Sequence, residues 1–253
     1  LNPANIRHHL NNIRGYITEG LRFLSRYCGS LVIDIGCGSG GSTRFFRGLC
    51  NSYVLGIDID YEVLRKAREL LINDPHVGLV ACSASSLPIR DAVADLITSV
   101  ATLHEVEESL VNDLLKEVVR VLKPGKYFVL IEKASELPRS TSEYLTILTE
   151  YAYHRAVKYV LGTEVLGIKS SSEYIELIKS LGLKLVSKYV VTLGKWLSPK
   201  EFLSNWGRKT LRLVNELRGR RREELEYLIR NIKVLSSRYG YGPTKALVAI
   251  FKK

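Results

Sequence analysis

Three groups of residues in this chain have types and spacing that could do chemistry. Gly36, Gly38, Gly40 and Gly41 directly follow the apolar run 31–35, which carries Asp34. Glycines spaced this way let a backbone turn tightly and bring its N–H groups close to a ligand at the start of a helix. A second apolar run, 53–57, ends in Asp58, where a carboxylate at a strand tip can accept hydrogen bonds from a ribose diol. The third feature is His104, whose imidazole titrates near neutrality and could take a proton from an oxygen or nitrogen nucleophile; a helix-capping or structural histidine explains it equally well.

The pattern Gly36, Gly38, Gly41 also fits a nicotinamide dinucleotide loop. Asp34 argues against that use. A carboxylate two residues before the first glycine would repel a pyrophosphate, whereas it suits a ligand bearing an ammonium or sulfonium group. Local charge therefore favours S-adenosylmethionine.

Alternating elements must position these groups. Apolar runs at 31–35, 53–57, 77–81, 95–99 and 127–132 read as strands, and amphipathic stretches between them read as helices, Asp60 acting as an N-cap for the helix 61–71. Lys123, Pro124 and Gly125 read as a sharp stop between the helix 109–122 and the fifth strand. Such alternation predicts an α/β fold with a doubly wound parallel sheet, whose ligands bind beyond the strand ends where the strand order reverses. Runs 183–193 and 246–251 are expected to pair as a hairpin-like edge, giving a seven-stranded, mostly parallel, Rossmann-like sheet with an antiparallel edge strand. Upstream, Leu10, Ile13, Ile17, Leu21 and Leu24 form an apolar helical stripe, and Arg14 and Tyr16 could close over a cofactor.

Two segments interrupt the repeat. Residues 136–169 include a helical stretch rich in aromatics (Tyr144, Tyr151, Tyr153, His154, Tyr159), expected either to cap a substrate pocket or to pack as core. Residues 198–240 are helical and carry Arg208, Lys209, Arg212, Arg218, Arg220, Arg221 and Arg222. Arginine forks suit phosphate, so RNA contact must be weighed against a solvated helix junction. The net charge of +11 resides in the rear half: residues 1–135 hold 15 basic and 15 acidic side chains, and residues 136–253 hold 22 and 11. The whole is expected to be one domain, 1–253, with these two insertions.

The four cysteines, Cys28, Cys37, Cys50 and Cys82, form no CxxC pair, and no dense His/Cys cluster accompanies them, which argues against a disulfide framework and a structural metal site. No apolar run is long enough to span a membrane, so a cytoplasmic protein is the default.

With these pieces assembled, the chain resembles the class I S-adenosylmethionine-dependent methyltransferases, particularly the small-molecule group that includes quinone-biosynthesis and sterol methylases. The resemblance rests on VIDIGCGSG at 32–40, GIDID at 56–60, SSLPIRDAVADLITSVATLHEV at 85–106 and LKPGK at 122–126. It implies that Asp34, Gly36 and Gly38, with Cys37 and Gly40 in the same loop, cradle the amino-acid end of the cofactor, that Asp58 holds the ribose, and that Ile59 lies against the adenine. Ser83 and Ala84 occupy the place where relatives usually carry an adenine-binding Asp. Residues 99–103, beginning with Ser99, fall where the resemblance places the wall between sulfonium and acceptor. His104 falls where many relatives carry a histidine pair.

Methyl transfer from a sulfonium needs in-line orientation and exclusion of water, and no metal. SVATLH after the fourth strand lacks the NPPY-type tetrad of amino-methylating nucleic-acid enzymes. The expected function is methylation of a small organic metabolite. The alternatives are an RNA methyltransferase that holds its substrate on the basic helices, a nicotinamide oxidoreductase, and a non-enzymatic module recruiting nucleic acid or a partner.

Overall fold

The computed structural model describes residues 20–253, so the expected stripe over Leu10, Ile13 and Ile17 and the placement of Arg14 and Tyr16 lie outside the described residues. The elements run in chain order as β1 (Leu31–Ile35), α1 (Gly41–Cys50), β2 (Tyr53–Asp58), α2 (Tyr61–Leu71), β3 (Val77–Ala81) and β4 (Ala94–Val100). They continue as α3 (Glu108–Val121), β5 (Leu122–Lys133), α4 (Thr141–Leu161), α5 (Ser171–Lys179) and β6 (Lys184–Leu193), then α6 (Pro199–Asn205), α7 (Arg208–Glu216), α8 (Arg220–Tyr239) and β7 (Thr244–Lys252). Short 3-10 turns cover Arg22–Tyr27 and Leu103–Glu105.

The seven strands lie in the order β3-β2-β1-β4-β5-β7-β6. Strands β1 to β5 are parallel, and β7 runs antiparallel to both β5 and β6. The reversed strand thus sits one place in from the edge. Strand order switches direction between β1 and β4, so the loops after β1, β2, β3 and β4 converge on one crevice.

Because both faces of the sheet are covered, successive side chains in a strand enter different cores. Ile33 and Ile35 join Ile57, Ile97 and Phe128 on the face packed by α3 and α5. Val32 joins Val54, Leu96 and Val129 on the other face, against Phe46 and Leu24. Two smaller cores fix α4: Ala156 and Val157 pack with Leu213, Val214 and Leu225, while Leu145 and Ala152 pack with Phe202 and Ile232. The excursion between β6 and β7 therefore buttresses α4.

Local signals account for the element starts. Asp60 accepts from the N–H groups of Glu62 and Val63 at the start of α2, and Ser170 with Glu173 forms a full capping box on α5. The expected stop at Lys123–Gly125 is not a separate linker: α3 ends at Val121 and β5 starts at Leu122, with an irregularity in its pairing to β4 that accommodates Pro124.

One expectation is overturned. Cys28 and Cys50 form a disulfide, their Cα atoms 5.3 Å apart. Sequence spacing concealed it because the two residues meet only after β1 and α1 fold back on one another. Cys37 and Cys82 are free.

Candidate functional site

The glycine loop is shaped by three residues with positive φ, Gly36 at +68°, Gly38 at +54° and Gly40 at +86°. A Cβ on Gly36 would overlap the side chain of Thr102, so the loop lies too close to the tip of β4 for any other residue. The loop is also tied to β2. The Cys37 N–H donates to the Ile57 carbonyl at 2.9 Å, and the Gly38 N–H donates to Asp58 Oδ2 at 2.9 Å. The other carboxylate oxygen of Asp58 accepts from the Asp60 N–H at 2.9 Å. Asp58 thereby couples the loop to the start of α2.

A cavity of 350 Å³ opens above these strand tips. Six of the expected residues are in its wall: Gly36, Gly38, Asp58, Ile59, Ser83 and Ala84. Asp34, Cys37, Gly40, Ser99 and His104 are not. Asp34 was expected to face a cationic ligand. Its buried carboxylate instead accepts from Ser42 Oγ and Thr43 Oγ1, each at 2.7 Å, and from Thr98 Oγ1 at 3.0 Å, which ties β1 to α1 and β4. Cys37 and Ser99 are fully buried, and Gly40 caps α1.

The wall also contains Ser39 and Lys66, which no sequence pattern singles out, together with Thr102 from the expected stretch 99–103 and Glu105 just beyond it. From above, α4 contributes Tyr153, His154, Val157 and Leu161. Only two members of the aromatic group therefore face the cavity. Tyr144 and Tyr151 are exposed, and Tyr159 donates to Glu224 at 2.7 Å.

Beneath the wall lies a buried polar network. Glu132, at the end of β5, accepts from the N–H groups of Thr102 and Leu103 and from His104 Nδ1, all at 2.6 Å. His104 is 1% exposed, so it stands one layer behind the surface an acceptor would touch. Burial disfavours its protonation, but the Glu132 carboxylate outweighs that and raises its pKa. The ring of His154 is centred 5.8 Å away, and burial pushes its pKa down to about 4. Glu150 pairs with Lys133, and despite burial this neighbour pulls its carboxyl down to about 2.

None of the expected basic residues lies in the cavity wall among the described residues. Arg222 pairs with Glu226 at 2.7 Å, and Arg221 stands 5.3 Å over the Tyr159 ring. Arg208, Arg212, Arg218 and Arg220 are exposed.

Residues 33–130 match the family model described as a methyltransferase domain. Residues 33–130 of this chain therefore form a methyltransferase domain. Botryococcene C-methyltransferase of Botryococcus braunii is 27% identical over 199 residues, covering 73% of this chain and 49% of that protein. A tRNA (carboxymethyluridine(34)-5-O)-methyltransferase of Arabidopsis thaliana is 31% identical over 138 residues, covering 52% of this chain and 30% of that protein. The chain spans less than half the length of the curated relatives it matches. Among solved structures, a SAM-dependent methyltransferase of Methanosarcina mazei superposes with a TM-score of 0.58 at 19% identity, covering 91% of this chain and 96% of that one, a likeness of fold. The methyltransferase domain thus supplies the glycine loop, Asp58 and the tips of β3 and β4, while α4 and its buttress lie outside the matched region.

Proposed function

We propose that this chain transfers a methyl group from S-adenosylmethionine to a small organic acceptor held under α4. The observation that carries this reading is the cavity itself. It runs from the glycine loop and Asp58 to Tyr153, His154 and Val157, and it lies within the size range of small-molecule sites. The family match and the C-methyltransferase relative support the same reaction class.

The residues present fit the cofactor. Gly36 and Gly38 bring backbone close to the cavity, where a side chain would fill the space for an amino-acid moiety. Asp58 lines the cavity, and a carboxylate, with about four acceptor sites, can serve backbone N–H groups and ribose hydroxyls together. Ile59, 64% exposed, offers an apolar surface to the adenine, and Ser83 with Ala84 offers the only polar edge on that side from the expected set. When bound, S-adenosylmethionine supplies an electrophilic methyl on a sulfonium. The chain contributes orientation through Thr102 and Glu105 at the tip of β4, and excludes water with the apolar face of α4. Asp34 supports the loop from behind, and His104 positions rather than touches the acceptor.

In this reading residues 136–169 provide the cap and 198–240 its support, within a single methyltransferase unit. Among the described residues no helix is long and apolar enough to cross a membrane. A cytoplasmic location is part of the proposal; disulfides such as Cys28–Cys50 belong mainly to oxidising compartments, and inside cells chiefly to hyperthermophiles.

A second reading, methylation of RNA, draws on the tRNA methyltransferase relative and on the exposed arginines of α7 and α8. Transfer of labelled methyl into a fractionated cell extract separates the two. Label in the small-metabolite fraction is expected; label confined to RNA would overturn the first reading in favour of the second.

A further inference from the structure

Glu150 and His154 lie one turn apart on α4, on one face of the helix. That face meets His104, which the 3-10 turn after β4 delivers from the sheet side. A ring nitrogen of His104, a ring nitrogen of His154 and a carboxylate oxygen of Glu150 all fall within 4.8 Å of one another. We propose that these three side chains bind a divalent transition-metal ion where α4 meets the turn after β4, beside the cavity.

Several independent observations converge on this. Among the described residues, the Nε2 atoms of His104 and His154 are both buried with no hydrogen-bond partner, a condition rare enough in native proteins to call for an explanation. Glu132 can only accept, so the proton of a neutral His104 resides on Nδ1 and its Nε2 presents a lone pair. Glu132 is itself held by the Thr102 and Leu103 amides. A carboxylate that fixes the far nitrogen of an imidazole in this way is the usual support of a metal-binding histidine.

Geometry and charge agree. Ligand atoms at about 2.0–2.2 Å from an ion lie roughly 3–3.6 Å from one another, so rotation of His154 and Glu150 by an ångström or so closes the set around His104. Lys133 pairs with Oε1 of Glu150, and the second oxygen of that carboxylate can face the ion. The carboxylates of Glu132 and Glu150 both reach this cluster, a polar setting that suits a cation. Two imidazoles and one carboxylate suit zinc, iron, cobalt or nickel better than magnesium or calcium. His154 also lies in the cavity wall, so an ion held by these side chains would stand next to the cavity.

The proposal goes beyond methyl transfer and is tested without a methyl donor. The full chain, stripped with a chelator, is titrated with Co(II) and its visible d–d absorption is followed. One Co(II) per chain is expected, displaced by Zn(II). His154→Ala should remove the band, and Glu132→Gln should weaken binding about 10–100-fold. Circular dichroism checks the fold of each variant, and His154→Gln replaces His154→Ala if the latter does not fold. A wild-type chain that takes up neither ion, or a folded His154 variant with an undiminished band, overturns the site.

Discussion

Replacing Asp58 by alanine tests the link between the glycine loop and ribose binding. The carboxylate is 2% exposed and accepts the Gly38 and Asp60 N–H groups, one on each oxygen. A hydrogen bond to a charged group contributes about 1.5–3 kcal/mol, so losing both costs about 3–6 kcal/mol. For a domain of this size that corresponds to a melting temperature lower by about 6–24 °C. The same change removes the proposed ribose contact, which should weaken S-adenosylmethionine binding by about 10–100-fold. Melting by circular dichroism and calorimetric titration, the latter well below the variant's transition, read the two effects separately. Asn at this position keeps one acceptor but sets an NH2 against the second backbone donor, so Asp58→Asn should fall between the wild type and Asp58→Ala on both axes. Wild-type melting in Asp58→Ala would refute the argument that this carboxylate ties the loop to β2 and α2. Wild-type affinity with lowered melting would leave the tie intact and sink the ribose assignment.

Other changes probe different parts of the molecule. Gly36→Ala should lower melting, since a left-handed residue with a Cβ costs about 1–2 kcal/mol before Thr102 is displaced, and should impair cofactor binding; unaltered binding would contradict the close approach of loop and β4. Reduction of Cys28–Cys50, or Cys50→Ser, should cost about 3 kcal/mol from release of a cross-link with a sequence separation of 22, and a melting curve indifferent to reductant would count against it. Phe202→Ala removes a buried ring stacked 4.2 Å from Tyr241 and should cost about 3–5 kcal/mol while raising KM for the acceptor, because α4 loses its support; an unchanged KM would detach the buttress from the cavity. Neutralising Arg220, Arg221 and Arg222 together should leave transfer to a small acceptor unchanged, whereas a joint loss of transfer and of salt-dependent RNA binding would favour the RNA reading.

The strands and helices of the front half were readable because each buried run is short, apolar and bounded by glycine, proline or a capping residue. Side-chain direction was the harder problem. Asp34 shares the face of Val32 rather than that of Ile33 and Ile35, so it meets Ser42, Thr43 and Thr98 on the α1 side of the sheet. The period-two alternation of the strand carries that information, but motif position alone drew the carboxylate toward the ligand. In the sequence His104 stands as a lone histidine. Its partners are Glu132, 28 residues away, and two residues of α4, which no local pattern connects to it. Glu150 and His154, four residues apart, do share a helical face, a signal hidden among the surrounding tyrosines. The arginines of α7 and α8 stood out by charge, while the apolar face that sets α4 over the cavity carries more structural weight.

The placement of β7 bears on how the molecule comes into being. This strand is the latest in sequence order, yet it lies between β5 and β6 and pairs with both along most of their length. During synthesis the outer edge of β5 and the inner edge of β6 must wait, through the whole of α6, α7 and α8, for their partner to emerge. Contacts so distant along the chain form slowly, and unpaired edges are where nascent chains associate wrongly. Glu132 and Lys133 sit at the end of β5, where β7 secures them opposite Leu247 and Ala246. The floor of the cavity is therefore completed late in folding, and a ribosome-bound chain that has not yet released β7 should already hold the glycine loop but lack a finished site beneath α4.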